Sequence, residues 1–438
     1  AMIHRLDLGT TPVMHSAELQ LGWMVVAVAA CCAVLIWLRD YRILHRYTYL
    51  MFLGGMALLM LPLVPGLGLE KNGANIWIRL GNYSFQPAEL AKLVLAVAFA
   101  SYLVEKRDVL ALAGGKFLGL DLPRARDLGP ILLMWLASLA VLVFQKDLGT
   151  SLLFFGLFVM MLYVATEKPS WVILGVGLFV SGAVGAYFMF GHVQTRVSGW
   201  LNPFSDYDRN YQVINGQFGI AWGGLFGTGC GLGRPNLTPL AKTDFISAAI
   251  GEELGITGLA AVIILYGFIV ARGLRAALGS RDPFGKLLAA GLAFVFAIQV
   301  FAIIGGVTRL LPLTGLTTPF MSQGGSSLVA NWVMIGLLLL ITHQVRRPSV
   351  EPMADPVASL AGEATQVISA GSLARPSAAD AIADDETGPL PAFADAPTGP
   401  IPSVSPDALT GPLPAVGPHA ETDAEATTSI RPTDGGAA

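Results

Sequence analysis

Nine apolar runs alternate with polar links along the chain: Leu21–Leu38, Tyr49–Leu67, Glu89–Val104, Gly129–Phe144, Thr150–Thr166, Trp171–Phe190, Ile256–Val270, Leu287–Ile304 and Leu328–Thr342. About 17–25 helical residues cross a hydrocarbon core. Helix is the expected form, because open strands in lipid leave backbone groups unpaired. The pattern predicts an all-α polytopic membrane protein with nine transmembrane helices over residues 1–345. Two stretches break it. Residues 191–255 are too polar for lipid and form a large loop. Residues 346–438 are rich in Ala, Pro, Asp, Glu, Ser and Thr, with Phe393 as their one aromatic. Such a segment buries too little apolar surface to offset its ordering entropy, so a disordered tail is expected.

Charge orients the runs. Arg and Lys cluster after run one (Arg39, Arg42, Arg46), run three (Lys106, Arg107, Lys116, Arg124, Arg126), run seven (Arg272, Arg275, Arg281, Lys286) and run nine (Arg346, Arg347). The positive-inside rule makes these links and the tail cytoplasmic. Alternation then puts the large loop, Glu70–Pro87, Gln145–Gly149 and Gly305–Ser326 together on the outer side. Nine spans also place the N-terminus outside, so a further upstream helix is expected. The net charge of −3 hides an acidic tail, with 13 acidic against 4 basic residues from 346 onward. Nothing here suggests nucleic acid. Three cysteines, two of them adjacent (Cys31, Cys32), make neither a disulfide framework nor a zinc pattern.

The unusual polar residues fall on the outer side. Glu89 and Lys92, three apart, share a helix face and can pair; they either anchor that helix start or line a polar cavity. Asp147 precedes run five and can cap it. Arg79 is either an interfacial anchor or a phosphate ligand, since its planar fork suits phosphate. Residues 308–327 hold Arg309, two prolines and three glycines, and helix is not expected between Pro312 and Gly325. Gly324-Gly325-Ser326-Ser327 opens an apolar helix whose free N–H groups could take an anion. In the loop, six glycines between Gly223 and Gly233 give a tight backbone, without the flanking elements of a nucleotide fold. Asp244 is the one acid between Asp208 and Glu252. It is either a solvated or capping aspartate or a reactive carboxylate. Glu252 and Glu253 read as the start of the seventh helix, where the macrodipole favours anions.

Several pieces in order carry a resemblance: Asn72-Gly-Ala-Asn-Ile-Trp77-Ile, Gln86-Pro-Ala-Glu89-Leu-Ala-Lys92, Asp147-Leu-Gly-Thr150, Tyr211-Gln212, Gly223-Gly224 through Gly229, Thr243-Asp-Phe-Ile246 with Gly251-Glu-Glu-Leu-Gly255, and Leu311-Pro-Leu-Thr-Gly315 to Gly324-Gly-Ser-Ser327. Over residues 20–345 the chain resembles the SEDS family, the RodA, FtsW and SpoVE proteins of bacterial wall growth. The resemblance implies a ten-helix bundle, here lacking its first helix, in the bacterial plasma membrane. It implies a peptidoglycan glycosyltransferase that polymerises lipid II, an undecaprenyl-diphosphate-linked disaccharide-pentapeptide, beside a class B penicillin-binding protein. The alternatives are a lipid II flippase and a septal, FtsW-like polymerase; overall resemblance favours the elongation member. The family's essential aspartate maps to Asp244, and its conserved pair to Glu89 and Lys92. Arg79, Glu89, Lys92, Lys242, Arg309 and Ser326 are the candidate substrate contacts, with Lys92 and Arg79 foremost as phosphate partners, then Lys242 and Arg309. A divalent cation, magnesium or manganese, is a candidate cofactor with Asp244 as ligand. The tail, with its repeated Thr-Gly-Pro units at Thr387, Thr398 and Thr410, is a candidate docking segment for cytoplasmic regulators. The chain departs from the family pattern at Lys242 (usually His), Leu240 (commonly Glu), Ser247 (often aromatic) and Lys146 (Pro).

Overall fold

A computed structural model describes Ile3, Leu6 and residues 16–71, 74–81, 83–107, 115–117, 120–122 and 125–346. The tail expected to be disordered lies outside the described residues apart from Arg346. The elements in order are α1 (Ser16–Trp37), a 3-10 turn (Tyr41–Tyr47), α2 (Thr48–Met60), β1 (Gly68–Lys71), β2 (Ala74–Leu80), β3 (Tyr83–Phe85), α3 (Pro87–Glu105), β4 (Gly115–Phe117), β5 (Leu120–Leu122), α4 (Ala125–Phe144), α5 (Leu148–Thr166), α6 (Ser170–Met189), α7 (Gly191–Leu201), α8 (Tyr207–Gly223), α9 (Ile246–Gly279), α10 (Pro283–Val307) and α11 (Gly325–Arg346).

The fold is mostly helical. Eight stretches among the described residues are long and apolar enough to cross a membrane: α1, Tyr41–Leu63, α3, α5, α6, α9, α10 and α11. The fourth predicted run is α4, whose apolar part, Leu132–Phe144, is shorter. Helices α3 and α10 form the buried centre, and α5 and α11 pack beside them. Aromatic contacts tie the centre to α4: Phe99 meets the edge of Phe158 at 5.7 Å, and Phe158 stacks on Trp135 at 4.6 Å. By contrast α1 and α6 expose Val25, Ile36, Val176 and Phe188. Large apolar side chains on outward faces suit contact with lipid.

Local chemistry sets the helix starts. Pro87 and Pro283 occupy first-turn positions, where a missing N–H costs nothing. Asp282 accepts from the Gly285 N–H at 2.9 Å. Asp147 caps α5, accepting from the Thr150 N–H at 3.0 Å and the Thr150 hydroxyl at 2.7 Å, as its position before run five predicts. The link Glu70–Pro87, expected only to be polar, is a three-stranded antiparallel sheet, β1-β2-β3, with Arg79 opposite Ser84.

The stretch read as one large loop is largely helical. It contains α7, α8 and the first part of α9, which breaks at Gly255 (φ 72°, ψ −174°). This places Glu252 and Glu253 in the last turn before the break, so the expectation that they open a helix is corrected. Their backbone carbonyls accept from the Thr228 and Gly229 N–H groups, at 3.0 and 3.1 Å. Past the break, the Ile256 and Thr257 N–H groups donate to the carbonyls of Gly224 and Leu225, at 3.0 and 3.1 Å. The glycine-rich segment thus satisfies both ends of an interrupted helix, and irregular backbone is tolerated at membrane depth when buried in protein. Glycine is required where the strands of chain touch. A Cβ on Gly227 (φ 86°) would lie 2.2 Å from the Glu253 carbonyl oxygen, and one on Gly255 would lie 2.4 Å from the Gly227 nitrogen.

Candidate functional site

Four segments meet at one end of the bundle: the start of α3, the Gln145–Thr150 link, the Lys242–Phe245 turn, and the 308–324 link between α10 and α11. Helix α7 joins them. The deepest layer is a buried polar chain. Lys92 Nζ donates to Glu89 Oε2 at 2.6 Å and to Gln299 Oε1 at 2.9 Å, and Gln299 Nε2 donates to the Thr317 carbonyl at 3.0 Å. Thr317 passes the chain on, its hydroxyl donating to Ser327 Oγ at 2.8 Å. Lys92 and Glu89 are 2% and 6% exposed and Gln299 fully buried, so the charges survive only as a hydrogen-bonded pair. Beside this chain, Gln86 Nε2 lies 3.5 Å from Asp147 Oδ2. Asp147 feels Glu89 as a like charge; burial pushes its carboxyl up, and the two Thr150 hydrogen bonds oppose that. Gly149 packs against the 314–316 backbone so closely that a Cβ would lie 2.8 Å from the Thr314 carbonyl oxygen.

The Asp244 turn is clamped from both sides. Ser322 Oγ accepts from the Thr318 N–H at 2.8 Å and donates to the Thr243 carbonyl at 2.5 Å. The Gln323 N–H donates to the Lys242 carbonyl at 2.8 Å. On the other flank Phe245 is fully buried, with its ring where a Cβ on Gly216 would fall. Asp244 itself is half-buried. Five non-glycine residues among those described have left-handed φ: Lys146, Arg309 and Phe320 lie in the segments that meet here, and Leu240 lies two residues ahead of the Lys242–Phe245 turn. Such backbone costs about 1–3 kcal/mol per residue and gathers where geometry is over-determined.

Arg196, on α7, connects the two layers. Its Nη1 donates to the Leu313 carbonyl at 2.8 Å. Burial pulls its pKa down, while the carboxylates of Asp147 and Asp244 act against that pull. A guanidinium stays charged under such a shift, so Arg196 is a cation held by the Leu313 carbonyl within electrostatic reach of both aspartates. Sequence reading passed over Arg196 and Gln299, yet each has a signal. Gln299 is the one polar side chain in the run Leu287–Ile304, and Arg196 is the one Lys or Arg in 191–208. A polar group inside an apolar span is a site candidate by default.

The remaining predicted residues are spread more widely. Lys242 is half-buried, with Nζ 3.4 Å from the Ser16 hydroxyl. Arg309 donates Nε to the Trp200 carbonyl at 2.8 Å and Nη2 to the Leu201 carbonyl at 2.9 Å, closing the end of α7. Ser326 is buried in the first turn of α11. That turn is covered by α1: the Gly324 N–H reaches Gln20 Oε1 at 3.3 Å, and the Trp23 ring lies where a Cβ on Gly325 would fall. Arg79 is exposed on β2. No group of three or more His, Cys, Asp or Glu able to hold a metal occurs among the described residues.

With the geometry in view, comparison with known proteins is informative. The family model for FtsW, RodA and SpoVE, described as "Cell cycle protein", matches residues 1–347. The Mycobacterium tuberculosis protein "Peptidoglycan glycosyltransferase RodA" is 51% identical over 79% of this chain and 75% of its own. The Geobacter metallireducens "Probable peptidoglycan glycosyltransferase FtsW" is 34% identical over 74% of this chain and 84% of its own. Among solved structures, one reported under "Structural coordination of polymerization and crosslinking by a peptidoglycan synthase complex" matches with TM-score 0.60 and 29% identity, over 75% of this chain and 91% of that one. The Thermus thermophilus Rod shape determining protein RodA matches with TM-score 0.54 and 28% identity, over 79% and 93%. The chain belongs to the FtsW/RodA/SpoVE family, the SEDS proteins.

Proposed function

We propose that this chain is a peptidoglycan glycosyltransferase of the plasma membrane that polymerises lipid II during wall elongation, with Asp244 as general base. The observation that carries the assignment is Asp244 itself: a half-buried carboxylate on a turn clamped at Lys242, Thr243 and Phe245, within electrostatic reach of the Arg196 guanidinium. In the reaction a sugar hydroxyl of the acceptor attacks the anomeric carbon of the donor. The new glycosidic C–O bond forms, the bond to the diphosphate breaks, and the hydroxyl proton passes to the Asp244 carboxylate. The lipid diphosphate leaves as an anion stabilised by cations held in place beforehand. Arg196 and Lys242 are the nearest candidates, and the Glu89–Lys92–Gln299 chain holds the 308–324 link that carries the turn. The elongation role is favoured by the higher identity to relatives named RodA, 50–51%, against 34–35% for those named FtsW.

The same reading places the 191–255 region outside the membrane, the C-terminus in the cytoplasm, and a class B penicillin-binding protein alongside. The structural match to a peptidoglycan synthase complex supports such a partner. The test is polymer formation from lipid II by the purified full chain in detergent, where no second leaflet exists and transport alone produces nothing. The wild-type chain is expected to make glycan. Asp244→Asn, folded and still binding its partner, is expected to lose at least ~10²-fold, the lower range for a general base. Near-normal polymerisation by that variant removes Asp244 from the role.

A further inference from the structure

We propose that the cavity between α7, α8 and the 308–324 link is a diphosphate-binding subsite built on Arg196, Arg209 and Arg309. The inference rests on the glycosyl-transfer reading for its biological ligand, and on the geometry for the site. All three arginines line one cavity, together with Thr195, Asn210 and Gln212. A guanidinium carries five N–H donors. Arg196 gives Nη1 to the Leu313 carbonyl, and Arg309 gives Nε and Nη2 to the carbonyls of Trp200 and Leu201. Those bonds orient the two side chains and leave most of their donors for a ligand. Arg209 is the adjustable member. Among the described residues its ion pair is with Asp206, at 3.7 Å, and both side chains are well exposed, so water screens the pair. Asp206 is held in place as the cap of α8, accepting from the Arg209 N–H at 3.1 Å. Arg209 can therefore turn into the cavity without taking its carboxylate along.

Three forks around one concavity match an anion with several oxygens at different angles, as a diphosphate has, better than a single carboxylate. Position agrees. Arg196 lines the cavity and also feels the Asp244 carboxylate as an attractive charge, so the proposed subsite is in electrostatic reach of the carboxylate that takes the proton. Of the neutral lining groups, Asn210, which gives one side-chain N–H to the Pro203 carbonyl, keeps a second, and Gln212 adds an amide as a further donor for the oxygens left uncovered by the forks.

The test uses the full-length chain in detergent with two probes, sodium pyrophosphate and a polyprenyl diphosphate in micelles, each titrated calorimetrically. The wild-type chain is expected to bind pyrophosphate, more weakly as salt rises. Arg209→Gln is expected to weaken binding about tenfold, the loss of one charge-assisted contact, without a change in thermal unfolding. Arg196→Lys, which keeps the charge and removes the fork, is expected to weaken it as well. Weakening with both probes assigns the subsite to the lipid-linked diphosphate; weakening with pyrophosphate alone assigns it to the free anion; either supports the site. Binding within twofold of wild type in both variants, for both probes, overturns it. A wild-type chain that binds pyrophosphate but makes no polymer would refute the glycosyl-transfer reading and leave this measurement intact.

Discussion

Lys92 is a charge held inside the bundle by two side chains. It is 2% exposed, and its ammonium is shared between Glu89 and Gln299. Removing one member of a buried ion pair strands the other, at about 3–5 kcal/mol. Lys92→Met is therefore expected to lower thermal stability strongly in a detergent unfolding assay. Glu89→Gln combined with Lys92→Met removes both charges and is expected to recover most of that loss. Activity separates the roles: the double variant is expected to be stable but a poor polymerase, because Gln299 no longer couples α3 to the Thr317 carbonyl. Full activity in the stable double variant would reduce the pair to a stability device. The charges of this cluster were plain in the sequence, since Glu89 and Lys92 at three-residue spacing can only pair along one helix face. Their partner was not plain, because Gln299 lies 207 residues from Lys92, and spacing says nothing about contacts between distant spans.

The interrupted helix α9 is the informative element. Alternation of apolar and polar residues located its lipid-crossing half, from Ile256 onward, and missed the half before the break. Two features hid it. Residues 191–255 are polar enough to read as loop, and their helices are short and separated by Pro203 and a glycine cluster. What the glycines do depends on tertiary pairing: Gly223–Gly229 lies against residues 251–257 and supplies the hydrogen bonds that a broken helix lacks. Gly227→Ala puts a Cβ against the Glu253 carbonyl at a left-handed φ and is expected to cost roughly 1–3 kcal/mol. It is expected to expose 225–232 to protease and to reduce polymerisation through the displaced α9. Gly177→Ala, at a helical position with open space around it, is the control expected to change neither. Equal proteolysis of the two variants would mean that the glycine segment does not brace the break.

At the scale of the whole molecule, the links sort into two ends. Tyr41 donates to Asp282 at 3.0 Å, Arg42 lies 3.7 Å from the same carboxylate, and Gln344 donates to Asp40 at 3.0 Å. Glu167 meets both Arg107, at 3.6 Å, and Lys286, at 3.5 Å. These contacts gather the links after runs one, three, five and seven and the end of α11 at one end of the bundle. The Asp147, Asp244, Arg196 and Arg309 segments gather at the other. The sequence pattern anticipated this division because alternate crossing leaves no other arrangement; which end faces the cytoplasm rests on charge alone. By the positive-inside rule the basic clusters at Arg39–Arg46 and Arg272–Lys286 favour the cytoplasm for the first end, and the prediction that follows is an outward Asp244 end. The native cysteines can test this. Cys230 is exposed in the glycine segment, Cys31 is buried, and Cys32, though exposed, lies within the apolar span α1. A membrane-impermeant maleimide is expected to label right-side-out vesicles at Cys230 alone, and Cys230→Ser should abolish the signal. In sealed inverted vesicles the same reagent is expected to leave Cys230 unlabelled until detergent is added. Labelling of Cys230 in intact inverted vesicles would reverse the orientation and place Asp244 on the wrong side for building an external wall.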